Sequence, residues 1–192
     1  MHETLLQYIS QYAKSSLTDE EKGLVSTAFL PKKLRKKQYF LQEGGVCKHF
    51  GFIVHGAMRQ YSVDEKGIEH VVQLATENWW VGDRESYLML TPSLYNIDAW
   101  EETNLLIVER ADLLNLFQEV PALALMAREM DNRNAMASQR RLNAAISFSA
   151  EKRYSDFAKD HPEFLQRFPQ HLIASYLGIT KETLSRIRKQ LM

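Results

Sequence analysis

The twenty residues from Gln170 to Lys189 constrain the fold of this chain more than any other stretch. Two short helices that cross steeply need a small residue where their axes approach and a turn residue that tolerates positive φ. Ala174 and Gly178 stand at those two positions. A core between the helices needs apolar side chains, which Ile173, Leu177, Ile179, Leu184 and Ile187 supply. Thr180 can cap the second helix, and Pro169 lies at the start of the first. The spacing therefore predicts a helix-turn-helix. With the buried set assigned, Lys181, Glu182, Ser185, Arg186 and Lys189 face outward, with Thr183 beside them. That face suits a DNA major groove: Arg186 matches guanine O6 and N7, Glu182 accepts from a cytosine amine, and Lys181 serves a base or a phosphate. Gln170, Thr180 and Arg188 are placed for backbone phosphates, which position a protein without reading sequence. The alternative, an ordinary antiparallel helix pair capping a domain, leaves the agreement of seven structural positions (Ala174, Gly178 and the five apolar residues) unexplained.

Charge is divided in a way that agrees with this reading. The formal net charge is zero, yet Asp64 to Glu119 carries twelve acidic and three basic residues, whereas Thr180 to Met192 is net +3. An acidic body with a basic tip results. A second basic run, Lys32-Lys33-Leu34-Arg35-Lys36-Lys37, reads as an exposed strand edge, where lysines discourage sheet-to-sheet pairing, or alternatively as a phosphate patch. Cys47 is the sole cysteine, so disulfide frameworks and four-thiolate clusters within one chain are excluded. A buried structural thiol is the expected role of Cys47, a redox switch the alternative. No apolar run approaches bilayer length, and the opening Met1-His2-Glu3-Thr4 lacks the basic-then-apolar order of a signal peptide. A cytoplasmic location without a membrane partner is the expectation.

Upstream of the helix-turn-helix the texture changes twice. The first thirty residues read as helical, with Leu5, Leu6, Tyr8 and Ile9 on one side and a cap at Thr18. From about Leu34 to Val108, short β-branched and aromatic runs (49–54, 58–63, 68–74 and 105–108) are separated by turn signals at 43–45, 55–56 and 64–67. Short strands at such spacing predict a sandwich or barrel. From Pro121 to about Phe148 there is neither glycine nor internal proline, which predicts one helix about 40 Å long at 1.5 Å per residue. Leu123, Met126, Met130, Ala137 and Ala144 fall near a 3.5-residue repeat interrupted by Arg133, Asn134 and Arg141. That stripe is expected to form a homodimer seam with polar register-setting residues, the alternative being a helix lying on its own barrel. A further helix is expected over 150–159, capped by Ser149 and stopped at Asp160-His161-Pro162.

On these motifs the chain resembles the CRP/FNR superfamily of bacterial transcription regulators over nearly its whole length. The stretch 179–187 is similar to that family's recognition helix, and the resemblance implies that Lys181, Glu182, Thr183 and Arg186 contact bases and phosphates. Phe52-Ile53-Val54-His55-Gly56-Ala57-Met58-Arg59 resembles the strand-glycine-strand signature of a cyclic-nucleotide-binding β-roll. Trp79-Trp80-Val81-Gly82-Asp83 resembles the start of its phosphate-binding cassette. The implied architecture is α+β: an antiparallel β-roll of jelly-roll type with its helical preface over 1–119, a long dimerisation helix over 120–148, and a helix-turn-helix domain over 149–192 without a full wing. The implied partners are double-stranded DNA, a second copy of the chain, RNA polymerase and a small-molecule effector, with the effector site at Gly82, Asp83, Arg84 and Tyr95.

Two departures from the family pattern limit the transfer. Gly82-Asp83 stands where the family has a Gly-Glu pair for the ribose, but 90–98 has no arginine for a cyclic phosphate, and burying that charge without a cation is costly. Arg84 would substitute only in a rearranged loop, so no cofactor is expected and cyclic nucleotide would not bind by the usual geometry. The sequence also stops at Met192, where relatives continue into a wing, which shifts phosphate anchoring onto the first helix and the C-terminal basics. Two alternatives from other classes remain. One is a small metal-dependent, cupin-like enzyme using His49, His55, His70 and Glu69, although the usual ligand spacing is missing. The other is a ligand-sensing dimer whose helix-turn-helix mediates protein contacts. Iron-sulfur sensing lacks the cysteines it needs, and haem would require an axial ligand from His49, His55 or His70. No enzymatic activity and no bound metal are expected.

Overall fold

A capping box opens the first well-defined turn. In the computed structural model, which describes residues 1–191, Thr18 accepts from the Glu21 amide while the Glu21 carboxylate accepts from the Thr18 amide. This starts α2 (Asp19–Ala28), which follows α1 (His2–Ala13). Eight strands come next: β1 (Leu30–Leu34), β2 (Tyr39–Leu41), β3 (His49–His55), β4 (Met58–Val63), β5 (Glu69–Ala75), β6 (Trp80–Val81), β7 (Asn96–Ala99) and β8 (Thr103–Glu109), with α3 (Arg84–Met89) between β6 and β7. They form two antiparallel four-stranded sheets, ordered β1-β8-β3-β6 and β2-β7-β4-β5. The expected antiparallel β-roll is present. The four β-branched and aromatic runs correspond to β3, β4, β5 and β8. The first half of the basic run, Lys32-Lys33-Leu34, falls on β1 at the edge of its sheet, where Lys33 pairs with Glu102, and Arg35-Lys36-Lys37 lie in the turn that follows.

Alternation along the strands explains the layering. On β8, Leu105 and Ile107 point into the roll, while Leu106 and Val108 point out against α1 and the helices that follow the roll. A strand covered on both faces reads as the continuous apolar run Leu105-Leu106-Ile107-Val108. The second sheet is also covered twice. Met58, Ala75 and Ile97 face the roll interior, and Tyr61, Val71 and Leu74 face the C-terminal helices. At one end of the roll Gly56 takes φ +109°, and a Cβ there would lie 2.7 Å from the Thr103 Cα. Only glycine permits the β3–β4 turn to approach the β7–β8 turn so closely.

After the roll come α4 (Arg110–Glu119) and α5 (Pro121–Ser147), the predicted long helix, with Pro121 in its first turn. The stripe expected to be a dimer seam is corrected by its burial. Leu123 and Met126 are buried against α1 and α4 of their own chain, and Met130 accepts a hydrogen bond from the Tyr8 hydroxyl. Ala137 is exposed and Ala144 half-buried. The first third of α5 therefore packs on α1 and α4 of its own chain, and the large apolar residues of α5 left in solvent are Leu125, Met136, Leu142 and Ile146. Two of the three polar interruptions have partners, and Asn134 is exposed. Arg133 pairs with Glu129 and lies over the Tyr12 ring, and Arg141 donates to the Val72 carbonyl and lies over Tyr176. The last helices are α6 (Ala150–Asp160), capped by Ser149 as expected, α7 (Pro162–Arg167), α8 (Gln170–Leu177) and α9 (Lys181–Leu191). Among the described residues, no helix is long and apolar enough to cross a membrane.

Candidate nucleic-acid interface and effector cassette

The turn between α8 and α9 follows from Gly178. Its φ of +65° and ψ of +38° let its amide donate to the Ser175 carbonyl and the Ile179 amide donate to that of Ala174, closing a Schellman motif. Thr180 then caps α9 by accepting from the Thr183 amide at 3.1 Å. Of the five apolar residues expected between the helices, Ile173, Leu184 and Ile187 are buried, whereas Leu177 and Ile179 are half-buried at the rim. Leu172 and Ala174 complete the core.

Burying Leu184 and Ile187, three residues apart, turns the opposite side of α9 outward. Lys181, Glu182, Ser185, Arg186 and Lys189 share one open face of α9. Lys181, Glu182, Arg186 and Lys189 are exposed; Ser185, Thr183 and Arg188 are half-buried at its margins. Thr180 is exposed at the N-terminus of α9, where unpaired amides favour anions, and Gln170 is half-buried at the start of α8. The structure thus places Lys181, Glu182, Ser185, Arg186 and Lys189 on one face of α9, with Thr180 at the N-terminus of that helix and Gln170 on α8.

The cassette residues take other roles. Gly82 has φ +152°, and a Cβ there would lie 2.4 Å from the Phe50 ring. Gly82→Ala should lower stability by about 1–3 kcal/mol through backbone strain and displacement of Phe50, measurable by urea denaturation. The Asp83 carboxylate is buried and accepts from the amides of Glu85 and Ser86 and from the Ser93 hydroxyl, the last at 2.7 Å. Arg84 makes a bidentate pair with Asp131 on α5, and that carboxylate holds the guanidinium above its ordinary pKa. Tyr95 is half-buried, its backbone tied to Ser93. Both polar groups that a cyclic nucleotide would need already have partners in the chain, Asp83 in a buried turn and Arg84 in an ion pair at the surface. The residues present do not fit a cyclic phosphate in the geometry the resemblance implies.

The other chemistry considered does not converge on a site. His49, His55 and His70 lie beside three different carboxylates, Glu109, Glu77 and Asp64. No group of three potential metal ligands occurs among the described residues. Cys47 is buried as expected, and burial pushes its thiol pKa up, away from the reactive thiolate.

Sequence reasoning missed the junction between the roll and the C-terminal helices. Arg167, at the end of α7, grips Glu77 and Glu101, with one contact of 2.6 Å to each. Those two carboxylates, Glu101 foremost, hold Arg167 charged above its ordinary pKa. Burial raises the pKa of Glu77, but the Arg167 and Gly56 hydrogen bonds outweigh it and leave the carboxyl below its usual range. The Trp100 indole donates to the Arg167 carbonyl at 3.2 Å. Ser175 on α8 accepts from the Val71 amide and donates to the Glu69 carbonyl, closing the free edge of β5. The one sequence signal was the Glu77 and Glu101 placement in turns of an acidic body facing a basic tail, which does not identify a partner.

Residues 31–120 match the cyclic nucleotide-binding domain family. A search of curated proteins finds no match. Among solved structures, the catabolite activator protein of Thermus thermophilus is 22% identical, with 93% of this chain and 85% of that one covered and a TM-score of 0.59. FixK2 of Bradyrhizobium japonicum is 19% identical over 85% and 84%, with a TM-score of 0.67. The c-di-GMP-responsive global regulator CLP of Xanthomonas campestris is 12% identical over 91% of each chain, with a TM-score of 0.72. The chain shares the fold of these solved structures: the stretch matching the cyclic nucleotide-binding domain is followed by a long helix and then by the C-terminal helices.

Proposed function

We propose that the chain is a DNA-binding transcription regulator acting as a homodimer, with the roll and its preface at 1–119, the dimer helix at 120–148 and the DNA-binding domain at 149–192. The observation that carries this reading is the outward face of α9, where Lys181, Glu182, Arg186 and Lys189 are exposed while Leu184 and Ile187 anchor the helix from behind. The exposed line Leu125, Asn132, Gln139 and Ile146 on α5, with Arg128, Ala135 and Leu142 between, repeats every seven residues and supports a second copy packing along it. Asn132 and Gln139 would specify its register. RNA polymerase and a small-molecule effector other than a conventionally bound cyclic nucleotide belong to the same proposal.

Binding to duplex DNA should weaken linearly in the logarithm of salt concentration as Lys and Arg displace counterions. Arg186→Ala should cost about 1–3 kcal/mol at the specific site and relax preference at one base pair, read by gel-shift titration on a set of single-base variants. An equal loss on every sequence would move Arg186 to the phosphate-contacting group. Salt-independent association, or none, would defeat the reading itself.

A further inference from the structure

We propose that Arg167 is a positioning residue for DNA recognition: by gripping Glu77 and Glu101 at one end of the roll it sets the orientation of α9, and with it the half-site separation a dimer can read. This rests on the DNA-binding reading above. The grip is well built. Its Nη1 lies 2.6 Å from Glu77 Oε2 and its Nη2 2.6 Å from Glu101 Oε2, with Nε donating to Glu101 Oε1 at 3.1 Å. Glu77 is itself fixed by the Gly56 amide at 2.8 Å, so the carboxylates come from turns already locked together.

Arg167 sits three residues before α8, and Ser175, near the other end of α8, is bonded to the edge of β5. Helix α8 is therefore pinned to the roll at both ends. It passes that constraint to α9 through the Gly178 turn and the buried Leu184 and Ile187. The outward side chains of α9 remain exposed, so the docking orients the reading face and leaves it accessible. In a two-fold dimer the two recognition helices must enter successive major grooves about 34 Å apart, and any tilt allowed to one is allowed to both.

The test uses full-length protein and duplexes enriched by the wild type from a random pool, then remade with one or two base pairs added or removed between half-sites. Wild-type affinity should fall about tenfold or more on the altered spacings. Arg167→Met, which keeps bulk and removes the charge, should flatten that difference to about threefold or less, with a lesser loss on the best duplex. Glu101→Gln should fall between the two; if Arg167→Met does not give the wild-type circular dichroism spectrum, Glu101→Gln and Glu77→Gln carry the comparison. Unchanged spacing discrimination in folded variants overturns the inference and leaves the proposed function standing. Tighter binding to every duplex also overturns it, since the contact would then be a restraint on binding. A wild type that enriches no duplex overturns the proposed function and this inference together.

Discussion

Leu142→Glu combined with Ile146→Glu should turn the protein into a monomer and lower its affinity for a full operator by about 10²–10⁴. Both side chains are mostly in solvent, at 63% and 77% exposure, so their removal costs the isolated fold little. In a two-fold interface each substitution counts twice. Burying what remains of four aliphatic side chains contributes about 1–2 kcal/mol each, or about 4–8 kcal/mol in all. New carboxylates facing each other add repulsion. The avidity of two linked recognition helices is then lost, while binding to a single half-site should be unchanged. Light scattering coupled to size exclusion, with gel shifts on full and half sites, checks both statements. A variant that stays dimeric would mean the seam lies elsewhere.

Phe164→Ala should cost about 3–5 kcal/mol, the range for emptying an aromatic site in a core. Phe164 is 1% exposed and touches Phe157, Phe168 and His161 of its own domain as well as Trp79 of the roll, with ring centroids 5.0–6.1 Å apart. Its ring therefore fills the core of the C-terminal helices and their seat on the second sheet at once. Denaturant unfolding should show a loss confined to that domain, with Trp79 fluorescence changing early and β-sheet circular dichroism persisting. DNA binding should disappear with the domain. A loss under about 1 kcal/mol would show that the helices can close over the cavity.

The parts that could be read from sequence are those whose determinants lie close along the chain. The Thr18 cap, the Ser149 cap and the Gly178 turn each involve neighbours a few positions apart. Very short elements gave no period to detect: β2 has three residues, β6 two, and α7 six, and none of the three stood out from its surroundings. The cassette was half legible. The missing arginine in 90–98 was visible, but the pairing of Arg84 with Asp131, 47 residues away on another helix, was not.

Helix α5 shows where that boundary lies. Its sequence predicts a long helix with one near-heptad stripe, Leu123-Met126-Met130-Ala137-Ala144, whereas a second stripe, Leu125-Leu142-Ile146, emerges only from exposure in the structure. Only the seating of α1 and α4 covers the first stripe and leaves the second in water. In the same way the outward basic face of α9 was implied by its buried partners, whereas the direction in which that face points is set by Arg167 meeting carboxylates 90 and 66 residues distant. Caps, turns and side-chain periods act among near neighbours and so are written locally. The choice of covering surface and the aim of a domain arise from contacts that exist only once remote segments have come together.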